Sequence, residues 1–249
     1  MDLHLTGKRA LITGASKGIG AAIAETLAGE GCALHLAARN GDALADRART
    51  LRAEHGVEVT THAVDLRVST DIERLAETAG DLDILVNNAG DIPAGTLDDV
   101  GPEVWRHAWD LKVFGYIDLV RLVYPRLRDR GRGVIVNVIG TGGERPTAGY
   151  IAGGAGNAAL MAFTKALGGE GPRHGVRVVG VNPGPVATER ITTMRAANAD
   201  VDAGFASLPS GRIAETHEIA DLVAFLASER AGYISGTIVT IDGGMTAAR

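Results

Sequence analysis

Short apolar runs alternate with segments of helical spacing along the whole chain. The runs RALIT (9–13), CALHLA (32–37), VEVTTHAV (57–64), DILVN (83–87), GVIVNVI (133–139), VRVVGVN (176–182) and TIVTID (237–242) predict strands. Between them, stretches such as IGAAIAETLAGEG and DALADRARTLRAEHG repeat apolar residues every three or four positions, the spacing of an amphipathic helix. Gly31, Gly56 and Gly175 follow predicted helices, where a C-terminal cap belongs.

This alternation implies an α/β chain with a mostly parallel sheet covered on both faces, because parallel neighbours need crossover connections. Right-handed crossovers then favour a single doubly wound (Rossmann) domain over residues 1–249. The longest predicted loop, 185–212, is a candidate substrate loop, since loops of that length usually serve function.

Composition changes this picture little. The 249 residues are 45% hydrophobic but only 4% aromatic, so the core is expected to be aliphatic. A net charge of −5 gives no electrostatic case for nucleic acid. No apolar run approaches a membrane span, and the N-terminus lacks a leader-like apolar stretch. Cys32 stands in an apolar run and has no second cysteine to pair with, which fits a reducing cytoplasm. The dispersed histidines predict no metal site.

The first strand runs into TGASKGIG (13–20), which opens a helix. Gly14, Gly18 and Gly20 let backbone turn tightly and approach a pyrophosphate at the helix N-terminus. The second strand ends at AARN, with Arg39 where a carboxylate would hold the ribose of NAD. An arginine there, with Lys17 nearby, suits a 2′-phosphate and predicts NADP(H). Both cations also have a plain reading as solvated surface charge.

With these motifs in order, the chain resembles the short-chain dehydrogenases/reductases over essentially its whole length. The resemblance implies that Ser16, Lys17 and Ile19 stand beside the cofactor with the three glycines. It places Asp65 and Leu66 against the adenine, and NNAG, with Asn88, Ala89 and Gly90, beside the adenosine ribose. NPGPVAT resembles the segment that holds the nicotinamide carboxamide, so Pro183, Gly184, Val186 and Thr188 inherit that role. The implied substrate is a small carbonyl compound or alcohol, and the implied assembly a homotetramer or homodimer built on helices at 103–129 and 149–168.

The family's acid/base residues are a Tyr, a Lys four residues on, a Ser and an Asn. Counting back from AFTKAL and forward from GVIVNVIG puts Gly153 at the Tyr position, Asn157 at the Lys position and Gly140 at the Ser position. Lys112 falls where the Asn stands. Tyr150 precedes Gly153 by one helical turn, so a helix that includes it would place the phenol on the same face. Tyr150 is therefore the candidate proton donor, Lys112 the candidate electrostatic support and Asn157 the candidate ribose ligand. The plainer readings are a packing tyrosine at a helix entry and a lysine that extends to solvent. Thr141 is a weaker substitute for the missing hydroxyl, because one step along a strand reverses side-chain direction. Arg145 could face a substrate carboxylate or simply be exposed.

Two other classes fit the same residues. A non-catalytic NADP(H)-binding sensor or partner subunit needs only the cofactor half. A lyase or isomerase acting on a carbonyl compound would use Lys112 to polarise oxygen or form an imine.

Overall fold

The computed structural model of the protein describes residues 1–189, 191–192 and 205–248. Residues 190 and 193–204 of the expected 185–212 loop therefore lie outside the described residues. The expected strands all form: β1 Arg9–Thr13, β2 Ala33–Ala38, β3 Val59–Ala63, β4 Ile84–Asn87, β5 Gly133–Val138, β6 Val176–Pro183 and β7 Ile238–Ile241. They make one seven-stranded sheet in the order β3-β2-β1-β4-β5-β6-β7, with every pairing parallel. The strand order reverses between β1 and β4, and in sheets of this kind ligands bind beyond the carboxyl ends of the strands at that point.

Helices among the described residues include α1 Gly18–Gly29, α2 Gly41–His55, α3 Ser69–Ala79, α4 Pro102–Trp109, α5 Gly115–Asp129, α6 Ile151–Glu170 and α7 Thr216–Ala227. Successive strand residues point to opposite faces. Ala10, Ile12, Val134 and Val136 pack with Ile23, Leu27, Ile219 and Val223 of α1 and α7. Leu11, Leu85, Ile135 and Val178 instead pack with Leu75, Leu119 and Val123 of α3 and α5. The core is aliphatic, as composition implies. Gly56 and Gly175 adopt the left-handed conformation expected of C-terminal caps, whereas the α1 cap is Glu30 with Gly31 one residue beyond.

Two departures from the expected helices bear on the site. The helix expected at 103–129 is interrupted by a π-helical turn, Asp110–Phe114, between α4 and α5. Such turns widen the backbone spiral by one residue and are frequent at functional sites. The helix expected from 149 begins at Ile151, with Tyr150 at its N-cap (φ −141°, ψ 42°) rather than inside its first turn. No helix among the described residues is long and apolar enough to cross a membrane.

Candidate active site

A cleft of about 1180 Å³ opens at the carboxyl ends of β1, β2, β4, β5 and β6. One wall is the turn from β1 into α1. Gly14 has φ +67°, a conformation that favours glycine, and a Cβ on it would come 2.9 Å from the Cα of Ala89. At Gly20 a Cβ would come 2.3 Å from the Gly14 carbonyl oxygen, so the helix packs against its own entry turn. Thr13 fastens this turn to the next segment. Its Oγ1 accepts from the backbone N–H groups of Asn88 (2.9 Å) and Ala89 (3.1 Å), while the Asn88 amide donates to the Thr13 carbonyl (3.0 Å). Thr13 opens the TGASKGIG motif, but its part in joining β1 to the segment after β4 emerges only from the β1–β4 adjacency.

At one end the lining residues include Ser16, Lys17, Gly18, Ile19, Arg39, Asn40, Val64 and Leu66. Asn40 caps α2 by accepting from the Ala43 N–H, which leaves Arg39 exposed at the cleft wall. Asp65 does not line the cleft. Its carboxylate takes the Arg67 guanidinium at 2.6 Å and 2.9 Å, and that hydrogen bonding holds it below the usual carboxylate range. Lys17 pairs with Glu189 at 3.2 Å, while the Thr188 methyl packs over Gly18. The segment after β6 thus crosses the mouth of the glycine-rich turn. Val186 is buried in a bridge to Ala214 and likewise stands off the cleft.

The other end is lined by Asn88, Ala89, Gly90, Lys112, Val138, Ile139, Gly140, Pro183, Gly184 and Thr188. The Lys112 stem lies along Gly90, where an added Cβ would come 2.9 Å from its Cδ, and its Nζ donates to the Ile139 carbonyl at 2.5 Å. The π-helical turn carries this lysine into the cleft.

Tyr150 and Asn157 stand one layer away. A Cβ on Gly153 would lie 2.0 Å from Tyr150 Cζ, and one on Gly142 would lie 3.1 Å from its Cδ1. The ring is therefore held between the two glycines, with its back to a cluster of Ile92, Val100, Ala152, Trp105 and Trp109. The Trp109 indole donates to the Ala152 carbonyl at 3.0 Å, so the tryptophan pair belongs to packing. Asn157 is 2% exposed, lies 3.2 Å from the point where a Gly140 Cβ would stand, and has a buried Oδ1 with no hydrogen-bond partner. An orphaned buried acceptor is costly, and a hydroxyl-bearing ligand would relieve it. Thr141 is buried in the short 3₁₀ turn after β5. Arg145 donates to the Met245 carbonyl at 2.8 Å, tying the loop after β5 to the C-terminal segment.

Behind the cleft runs a buried polar line. The Asn87 amide donates to Asn137 Oδ1 (2.9 Å), the Asn137 amide to Thr164 Oγ1 (2.9 Å), and that hydroxyl to the Leu160 carbonyl (2.7 Å). It fastens β4, β5 and α6 together beneath the site.

Comparison with known proteins follows the same geometry. The sequence profile of the family described as "Enoyl-(Acyl carrier protein) reductase" matches residues 14–246. The acetoacetyl-CoA reductase of Shinella zoogloeoides is 33% identical over 240 residues, covering 94% of this chain and 97% of the relative. The 3-oxoacyl-[acyl-carrier-protein] reductase of Escherichia coli is 34% identical over 248 residues, 98% of this chain and 99% of the relative. The crystal structure of L-sorbose reductase from Gluconobacter frateurii, complexed with NADPH and L-sorbose, superposes with a TM-score of 0.93 at 35% identity and full coverage of both chains. By profile, sequence and fold, the chain belongs to the short-chain dehydrogenase/reductase family.

Proposed function

We propose that the protein is an NADP(H)-dependent oxidoreductase that interconverts a small carbonyl compound and its alcohol, with the proton handled by Tyr150 rather than by a residue at 153. The observation that carries this reading is the Tyr150 ring lying on Gly153. The chain keeps a phenol at this wall although it enters from the helix N-cap. The cofactor choice rests on Arg39 at the cleft wall and on the NADPH of the sorbose reductase complex.

The residues present fit that cofactor. The α1 N-terminus and its glycines form a cradle for a pyrophosphate, and Asn157 Oδ1 lacks the donor that a ribose hydroxyl would provide. When bound, NADPH supplies the hydride that reaches the carbonyl carbon. Lys112, whose Nζ donates to the Ile139 carbonyl, lines the cleft and brings a positive charge that stabilises negative charge on the substrate oxygen. Tyr150 gives that oxygen its proton, or takes it in the reverse direction. A tyrosine rooted at 153 would carry its hydroxyl a ring's length from its own Cβ, whereas Tyr150 places its ring at that starting point. The acid stands back, and the cleft wall at Gly140, which carries no side chain, suits a bulkier or more deeply seated carbonyl. A homotetramer or homodimer is part of the same reading, supported by half-exposed Val104 and Phe114 along the α4–α5 face.

The test is transfer of deuteride from 4-deuterated NADPH to a panel of ketones, aldehydes and quinones, read by mass spectrometry. Labelled alcohol is expected, with Tyr150→Phe slower by about 10²–10⁴-fold, the usual effect of losing a general acid. Tight NADPH binding without label would favour the sensor reading, which the distance of Tyr150 and Asn157 from the cleft lining also fits.

A further inference from the structure

The peptide joining Ile139 to Gly140 is gripped at both of its polar ends. Its carbonyl oxygen accepts from Lys112 Nζ at 2.5 Å, and its N–H donates to Asn182 Oδ1 at 3.3 Å. Asn182 is 1% exposed, near the end of β6. Its amide donates in turn to Glu144 Oε2 at 3.2 Å, and the same oxygen accepts from Thr240 Oγ1 of β7 at 2.7 Å. Lys112 and Asn182, distant in sequence, thus meet on one peptide plane, which lines the cleft at Ile139 and Gly140, with Glu144 and Thr240 behind Asn182.

That plane needs holding. Gly140 has φ +123°, outside the regions ordinary residues favour, so the backbone's own preferences do not fix it. An amide side chain can present either its oxygen or its nitrogen, and only its partners decide which. A carboxylate, which only accepts, selects the Asn182 rotamer that turns its oxygen to the Gly140 N–H. The next residue secures the same loop, because Arg145 donates to the carbonyls of Met245 (2.8 Å) and Ala248 (3.5 Å).

We infer that Glu144 is a positioning residue of the active site: through Asn182 it fixes the Ile139–Gly140 peptide, and through that peptide it fixes the ammonium of Lys112. The inference rests on the role proposed above for Lys112. Glu144 touches neither cofactor nor substrate in this account, and the acceptor oxygen matters more than the charge.

The experiment compares Glu144→Leu with Glu144→Gln, each alone and in a Lys112→Met background. It measures kcat, the KM for NADPH, thermal stability and hydrogen exchange in the peptide that contains Gly140. Glu144→Leu is expected to speed exchange at the Gly140 amide and to lower kcat by about tenfold to a hundredfold, the scale of a misplaced catalytic group. NADPH KM should move less than threefold. Glu144→Gln keeps an oxygen that can accept from both donors and should restore kcat to within about twofold. In the Lys112→Met background, Glu144→Leu should cost nothing more, since residues acting as a unit are non-additive.

Unchanged exchange at Gly140 in Glu144→Leu overturns the inference. So does a kcat loss that persists in the Lys112→Met background, or one that only follows lowered thermal stability. If Lys112→Met alone keeps normal turnover, the proposed role of Lys112 fails instead, and exchange at Gly140 still decides whether Glu144 holds the peptide.

Discussion

The Tyr150 ring occupies the point at which a side chain on residue 153 would begin, 2.0 Å from Tyr150 Cζ. The tyrosine and the absence of a side chain at 153 are one arrangement, since neither can be changed without disturbing the other. Gly153→Ala should therefore displace the ring although it adds a single methyl. We expect its turnover to fall about as far as that of Tyr150→Phe, and the double variant to be no slower than the worse single one, as neighbours with a shared function behave. Steady-state kinetics on the four proteins reads this directly. An unimpaired Gly153→Ala enzyme would take the phenol out of the reaction.

Cofactor choice has its own handle. Lys17 and Arg39 both line the cleft, but Lys17 is paired with Glu189, so Arg39 is the candidate cation for a 2′-phosphate. Arg39→Asp should weaken NADPH binding by about ten- to a hundredfold, the equivalent of one charged hydrogen bond worth roughly 1.5–3 kcal/mol. NADH binding should change little. Fluorescence titration of both cofactors distinguishes this from a general loss of affinity.

Acid should destabilise the fold through a pair remote from the reacting end. His35 and His62 stack with ring centroids 5.3 Å apart and Nδ1 to Nε2 at 3.0 Å. Burial, then the neighbouring His62 and Arg9, bring His35 from its ordinary 6.5 down to about 4, and burial lowers His62 as well. The unfolded chain therefore binds more protons across this window. The contribution of this pair to stability should be complete above about pH 6.5 and be lost as pH falls towards 4. His35→Gln should flatten this part of the profile in urea titrations run at a series of pH values.

The fold and the glycine-rich wall of the cleft are legible in the sequence because their signals are local. Strand periodicity, the glycine spacing of 14, 18 and 20, and Arg39 at a strand end each need only a short window. Register alone points to Lys112, which lines the cleft, although the π-helical turn that carries it there leaves no pattern in DLKVF. Asp65 and Val186 are expected at the cofactor, but the Asp65 carboxylate holds Arg67, and Val186 is buried with its backbone bridged to Ala214. Thr13, Asn182 and Glu144 were missed for the opposite reason. Their partners lie 75, 42 and 96 residues away, at distances only the strand order closes.

The π-helical turn also separates two inheritances within one continuous rod. Upstream of it, Trp105, Ala108 and Trp109 serve the tyrosine wall; downstream, Leu119, Val123 and Leu127 serve the sheet. One residue added to a helix rotates everything beyond it by about 100°. Absorbing that residue at 110–114 confines the rotation, so the reacting end can be re-aimed by insertion or deletion while the sheet-facing half keeps its packing unchanged. Chemistry and architecture can then drift at different rates in the same helix.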